Sequence, residues 1–379
     1  MKRINLQICA TMLLICCMAC SPSKRNKPSQ QSSTGVQTNN TSQVKGALLQ
    51  SLKDIPSQGI MFGHHDDPLY GIGWDGDAER SDVKSVCGDY PALMSFDIGH
   101  LELGNDYSLD SVSFDRIRKE IIAQYNRGGM ITISWHADNP LTGGDSWDVS
   151  SDKAVASVLD GGEKHAMFLE WLDRLSDYFN SLVADDGTKI PILFRPWHEH
   201  TGSWFWWGQE LCSTEQYKAL WSLTCQVLQE NGVDNLLYAY SPGTQPNTKE
   251  EYLERYPEGD IIDLIGVDIY VYDTQQYPKD MERCLSLVSS IAKERNLAMA
   301  LTETGYETIP DSAWWTETLL PLIENYPLSY VLVWRNARER ENHFYAPYPG
   351  QVSAEDFVKF YDSPKTLFAK DVEKVNLYN

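Results

Sequence analysis

Ile190-Pro191-Ile192-Leu193-Phe194-Arg195-Pro196-Trp197-His198-Glu199 is a short apolar run that ends abruptly in charged and aromatic side chains. The same design recurs along the chain. Gly59–His65, Pro91–Asp97 and Met130–His136 precede it; Leu236–Pro242, Ile265–Tyr270, Ala298–Thr304 and Tyr330–Asn336 follow it. Apolar runs of this length suit strands buried on both faces. The intervening stretches read as helices. Ser113 precedes an apolar stripe of Phe114, Ile117, Ile121, Ile122 and Tyr125 that ends at Gly128. Ser213 and Gln216 have capping-box spacing ahead of Tyr217, Leu220, Trp221 and Leu228, with Gly232 at the end. Further helices are predicted near Lys164–Val183, Lys279–Arg295, Ser312–Glu324 and Ser353–Tyr361, and a short one near Lys249–Glu254. Eight strands alternating with helices predict a (β/α)8 TIM barrel, a single catalytic domain over residues 45–379. A doubly wound sheet would not explain why nearly every strand ends in reactive side chains.

Two of those strand ends carry glutamates. Glu199 closes the fourth run and Glu303 the seventh, positions that face one another across the mouth of a closed barrel. Two carboxyl groups about 5 Å apart are what a retaining glycosidase requires. One attacks the anomeric carbon; the other protonates the leaving oxygen and later deprotonates water. The roles need different pKa values, which environment must supply.

The motif Arg195-Pro196-Trp197-His198-Glu199-His200-Thr201-Gly202-Ser203-Trp204-Phe205-Trp206-Trp207-Gly208 resembles the signature of glycoside hydrolase family 26, the β-mannanases. Leu301-Thr302-Glu303-Thr304-Gly305 is similar to the family's nucleophile strand. Ser134–Pro140 and Gly266–Tyr270 resemble its third and sixth strands, and the likeness runs from about Gly59 to Asn336. It implies a mannan endo-1,4-β-mannosidase working by double displacement, with Glu199 as acid/base and Glu303 as nucleophile. It also implies that His198 holds Glu303 by a hydrogen bond and that Tyr270 touches the nucleophile. His136 and Trp204 would bind sugar near the cleavage point. Trp334 would lie under the ring being attacked, with Arg335 beside it; Arg195 is expected among the substrate contacts. These assignments make chemical sense alone, since the C–H face of a sugar stacks on aromatic rings and its hydroxyls need fixed donors and acceptors. Of the four aromatics Trp204–Trp207, Trp204 alone is expected to face substrate, the others packing inward.

His64-His65-Asp66-Asp67 is a cluster of ordinary metal-ligand types. No spaced partner reinforces it, so a place in the substrate cleft is expected instead, with no metal and no cofactor. Cys87, Cys212, Cys225 and Cys284 are far apart and form no CxxC pair; Cys225 and Cys284 sit on apolar helix faces, as core thiols do.

The N-terminus reads as an address. Lys2 and Arg3 precede an apolar run from Ile8 to Ala19, too short to span a membrane. Residues 1–19 are read as a secretory signal that leaves Cys20 as an acylated first residue, the bacterial lipoprotein form, and residues 20–44 as a disordered tether. The basic stretch after Cys20 lacks the acidic residues that accompany surface export in some Gram-negative bacteria. The expectation is therefore a periplasmic protein, lipid-anchored on the inner side of the outer membrane.

The chain of 379 residues has a net charge of −21, although its first 45 residues hold basic and no acidic side chains. A body so acidic would be repelled by phosphate backbones, so no nucleic-acid partner is expected. The predicted partner is a β-mannan polysaccharide or oligosaccharide, bound by a monomer. Three alternatives stand: release of mannobiose from chain ends, the same mechanism on xylan or mixed-linkage glucan, and a tethered glycan-binding protein that does not cut. The segments Asp138–Glu163 and Arg338–Val352 are the candidate cleft walls on which internal or terminal cutting depends.

Overall fold

Eight parallel strands pair in chain order and close on themselves. They are β1 (Ile60–His65), β2 (Leu93–Asp97), β3 (Met130–Trp135), β4 (Ile192–Pro196), β5 (Leu236–Tyr240), β6 (Leu264–Tyr270), β7 (Ala298–Gly305) and β8 (Leu328–Val333). β8 pairs with β1, Met61 lying opposite Tyr330, which completes the expected (β/α)8 barrel. The computed structural model describes residues 34–379, with side chains from Asn40 onward. The predicted signal, Cys20 and most of the predicted tether lie outside the described residues.

Each strand alternates between two apolar clusters. Met61, Met130, Leu193, Leu237, Leu264, Ala298 and Leu332 fill the barrel, while Phe62, Ile131, Phe194, Tyr238, Ile265, Met299 and Val331 face the surrounding helices. This is the period of two that a pleated strand imposes. The predicted helices form with the predicted caps. Ser113 accepts from the Arg116 backbone N–H, and Ser213 with Gln216 makes a full capping box.

Two elements depart from expectation. Residues 34–54 form one helix, Thr34–Asp54, so part of the expected tether is structured. Its Leu48 and Leu52, followed by Ile55, join the barrel's inner cluster together with Val372 and Leu377. The polar composition of its first half hid an anchor supplied by its second half. The predicted helix Ser312–Glu324 is instead a π-helix, Trp314–Leu319, running into a short α-helix, Leu320–Ile323. Pro321 has no N–H to donate to the carbonyl four residues back, so the regular ladder breaks there. Cys87, Cys212, Cys225 and Cys284 are free thiols, the last two buried in the core.

Candidate active site

The strand period also selects which side chains enter the barrel mouth. Continuing the inward series of each strand by steps of two leads from Met61 to His65, from Leu93 to Asp97 and from Met130 to His136. It leads likewise from Leu193 to Arg195, from Leu237 to Ser241, from Leu264 to Asp268 and Tyr270, and from Leu332 to Trp334. Glu303 is out of phase with this rule, since Met299 and Leu301 face outward. The register explains how it arrives inside. Val267 pairs with Leu301 but Asp268 pairs with Glu303, so Thr302 is an extra residue in β7. A one-residue slip exchanges the faces of a strand, and here the bulge turns Glu303 inward. Gly266 makes room for it: a Cβ there would lie 2.4 Å from Thr302 Cγ2.

Glu303 is held through both oxygens. The guanidinium of Arg195 donates to Oε1, and the Tyr270 hydroxyl donates to Oε2 at 2.6 Å. Arg195 also donates to Asp268 Oδ2 at 2.9 Å and to Ser241 Oγ at 3.0 Å. Glu199 sits differently. Trp197 and Glu199 both have positive φ, near 54°, and the Glu199 N–H is tied to the Ser241 carbonyl at 2.8 Å. That turn aims the Glu199 carboxylate into the mouth, where Oε2 accepts from Trp204 Nε1 at 2.7 Å. Oxygen atoms of Glu199, Asp268 and Glu303 lie within 4.8 Å of one another. Burial, then the charges of Asp268 and Glu303, hold the Glu199 carboxyl well above the usual carboxylate range. Burial and Glu303 push Asp268 up to about 7 against the pull of Arg195.

A cleft of about 720 Å³ opens over these carboxylates. It is lined by the expected His136, His198, Glu199, Trp204, Tyr270, Glu303 and Trp334. Trp204 is exposed while Phe205, Trp206 and Trp207 are buried. His136 Nδ1 is bonded to Asp97 at 2.7 Å. Burial alone would lower the His136 pKa; the charge and hydrogen bond of Asp97 outweigh it and raise the imidazole above its ordinary value. Trp334 stacks on His65 with ring centres 3.9 Å apart. The two candidate walls contribute Trp147 from one segment and His343 and Tyr345 from the other.

Four expectations are corrected. His198 makes no hydrogen bond to Glu303, whose oxygens are taken by Arg195 and Tyr270. Its ring packs edge-on against His136 and Phe205. Arg195 is buried and is not among the residues lining the cleft; its guanidinium is occupied by Glu303, Asp268 and Ser241, so the structure gives it a positioning role. Arg335 is paired with Asp110 at 3.1 Å and Glu339 at 2.8 Å and is not among the residues lining the cleft. His64, His65, Asp66 and Asp67 are buried below the cleft floor: His64 is bonded to Asp67, His65 to Ser95 and Asp66 to Tyr70.

Among the described residues, two carboxylate-bearing trios could hold a cation by spacing, His65–Asp66–Asp110 and Glu199–Asp268–Glu303. Each already has a guanidinium as counter-ion, Arg335 on Asp110 and Arg195 on Asp268 and Glu303. A metal ion would add positive charge where an arginine supplies it. Sequence reasoning passed over Asp97 as the partner of His136, and over Trp147, Tyr272 and Tyr345 in the cleft. Asp97 was accessible from the strand period; the loop aromatics carry no periodic signal.

The chain's relatives agree with this geometry. Residues 36–346 match the profile described as glycosyl hydrolase family 26. Over 367 residues the chain is 32% identical to a mannan endo-1,4-beta-mannosidase of Bifidobacterium adolescentis, covering 90% of this chain but 36% of that protein. A mannan endo-1,4-beta-mannosidase of Bacillus subtilis is 27% identical, over 68% of this chain and 70% of its own length. Among solved structures, a family 26 β-mannanase from Bacteroides ovatus superposes with a TM-score of 0.87 at 60% identity, over 89% of this chain and 97% of that one. A match of this extent, on a barrel whose fourth and seventh strands present the two glutamates, places the chain in glycosyl hydrolase family 26.

Proposed function

We propose that the protein is a retaining mannan endo-1,4-β-mannosidase with Glu303 as nucleophile and Glu199 as acid/base. One observation carries the division of labour: the two carboxylates share one site but have unequal environments. Arg195 and Tyr270 stabilise charge on Glu303, as a nucleophile needs. Glu199, buried beside negative groups, keeps its proton at higher pH, as a general acid needs. Their oxygens lie within 4.8 Å, which matches the short carboxyl separation of retaining enzymes and not the roughly 6.5–9.5 Å of inverting ones, and so supports double displacement.

In the first step Glu303 attacks the anomeric carbon while the Glu199 proton passes to the leaving oxygen. In the second, Glu199 takes a proton from water, and water displaces Glu303. Trp334, stacked on His65, offers a rigid face to the sugar in the glycone position, and His136, oriented by Asp97, offers a donor to it. Mannan as substrate, and internal rather than terminal cutting, rest on the names of the relatives.

Purified protein should release reducing ends from galactomannan, and Glu303→Ala should abolish that release. Glu199→Ala should retain attack on an aryl β-mannobioside with a good leaving group, accumulate the glycosyl-enzyme, and be rescued by azide. No reducing ends from mannan, or full activity in Glu303→Ala, would sink the reading. Product sizes over time separate the alternatives, since mannobiose alone from the start means terminal cutting; xylan and mixed-linkage glucan serve as competing substrates.

The same proposal includes acylation at Cys20 and a periplasm-facing anchor on the outer membrane, supported by the N-terminal sequence. Cys20→Ala should move the protein from the membrane to the soluble fraction. Digestion by protease added to intact cells would argue for surface exposure instead.

A further inference from the structure

Asp82 is a buried carboxylate outside the cleft lining, at the start of the short helix Asp82–Cys87. Among the described residues no ion pair reaches it: Arg80 is taken by Asp77, Arg338 by Asp75, and Arg335 by Asp110 and Glu339. A carboxylate removed from water in this way depends on hydrogen bonds alone. Three donors supply them. Oδ1 accepts from Trp74 Nε1 at 2.8 Å, while Oδ2 accepts from the Ile72 N–H and from Asn336 Nδ2, each at 2.9 Å. Ile72 and Trp74 lie in the hairpin that pairs Tyr70–Gly71 with Trp74–Asp75; Asn336 follows β8. Gly71 lets the carboxylate in, since a Cβ there would lie 2.4 Å from Oδ2.

Asn336 carries the connection onward. Its Nδ2 also donates to the Ala346 carbonyl at 3.1 Å, and its Oδ1 accepts from the N–H groups of Tyr345 at 3.0 Å and Ala346 at 2.9 Å. A side-chain amide has two donor and two acceptor positions, and here all four are filled. Asn336 thereby folds the loop after β8 back onto its own start and fixes where Tyr345 stands. Tyr345 and His343 line the cleft, and the Tyr345 ring packs edge-on against Tyr270 with centres 5.6 Å apart. Gln351 pins the far end of the loop, its Nε2 donating to the Ile309 carbonyl at 2.9 Å. Thr308 and Ile309 both have positive φ, a conformation that β-branched residues rarely hold. The wall is thus held at both ends by side chains that lie outside the cleft lining.

We propose that Asp82 and Asn336 are positioning residues for substrate binding, which set the wall of His343 and Tyr345 against the bound sugar chain through one buried hydrogen bond. This rests on the proposed function, which places a mannan chain in the cleft. The effect belongs to binding more than to chemistry. Glu303 and its holders Arg195 and Tyr270 stand on β7, β4 and β6, and Glu199 follows β4; neither Asp82 nor Asn336 bonds to any of them.

The experiment measures KM and kcat on mannotetraose against pH. Asp82→Asn keeps the shape and removes the charge; its KM should rise about tenfold while kcat changes less than about threefold. Asn336→Asp gives the sharper readout, because it sets two carboxyl groups in the 2.9 Å contact. At low pH one of them holds a proton and donates it to the other, which replaces the lost amide donor. As pH rises that proton leaves and the two charges repel. KM of Asn336→Asp should therefore climb with pH relative to wild type, reversibly and with kcat much less affected. Adding Asp82→Asn removes one of the two carboxyl groups and should abolish the climb. If Asp82→Asn folds poorly, the pH dependence of Asn336→Asp alone decides. A KM that follows wild type at every pH in Asn336→Asp, a climb that persists in the double variant, or loss of kcat with KM unchanged would overturn the proposal. Wild type that cleaves no mannotetraose would instead refute the function on which it rests.

Discussion

Removing one hydroxyl should separate the two chemical steps. In Tyr270→Phe, Glu303 keeps the Arg195 bond on Oε1 but loses the 2.6 Å bond from Tyr270 on Oε2. A hydrogen bond to a charged group contributes about 1.5–3 kcal/mol. The contribution does not fall equally on both steps. During glycosylation the Glu303 charge is consumed, so the lost bond was stronger in the ground state than at the transition state, and its loss is partly offset. During deglycosylation the charge returns to Glu303, so the loss raises that barrier. At about 1.4 kcal/mol per decade the second step should slow by about 10- to 150-fold. The assay is pre-steady-state kinetics on a dinitrophenyl β-mannobioside, where departure of the aryl group is easy. The variant should show a burst of dinitrophenolate equal to the enzyme concentration, with kcat and KM both lowered and kcat/KM reduced much less than kcat. Equal loss in kcat and kcat/KM without a burst would refute the argument that Tyr270 acts chiefly on the departing carboxylate.

Three further outcomes test other parts of the structure. Trp204→Phe removes the donor that favours the charged form of Glu199, so the Glu199 pKa should rise. The alkaline limb of kcat/KM on a substrate needing acid assistance should then move to higher pH; a shift to lower pH would contradict the geometry. Gly266→Ala forces a methyl against the Thr302 side chain that forms the β7 bulge, so activity should fall at least tenfold by displacing Glu303, with a stability cost of about 1–3 kcal/mol measured by urea unfolding. Leu52→Ala opens a cavity where the first helix meets the barrel's inner cluster and should cost about 2–5 kcal/mol on the same unfolding assay, whereas a helix merely resting on the barrel would cost almost nothing.

The site was partly legible because the strand period carries from the core to the mouth. Tyr270, His136 and Trp334 each follow an apolar residue of their own strand by an even number of positions, so the chemistry that fills the barrel also predicts what caps it. Glu303 is where that rule would have failed. Its phase puts it outside, and only its place at the end of the seventh run and its resemblance to a family strand marked it; the bulge at Thr302 is a property of pairing with β6 and exists in no single strand. His198 and Arg335 were placed by resemblance in direct contact with nucleophile or substrate. In the fold Arg195 and Tyr270 occupy the Glu303 oxygens that His198 was expected to hold, and Arg335 pairs with Asp110 and Glu339.

By itself the sequence determined the alternation of strand and helix, the caps, and which strand ends carry reactive groups, because those follow from short-range periodicity and local hydrogen bonding. Only the tertiary structure decided which of those groups meet. The raised proton affinity of Glu199 arises from burial and from the charges of Asp268 and Glu303, residues brought beside it from β6 and β7 by closure of the barrel. Proton affinity depends on charges within a few ångströms, and that distance is set by the fold rather than by separation along the chain.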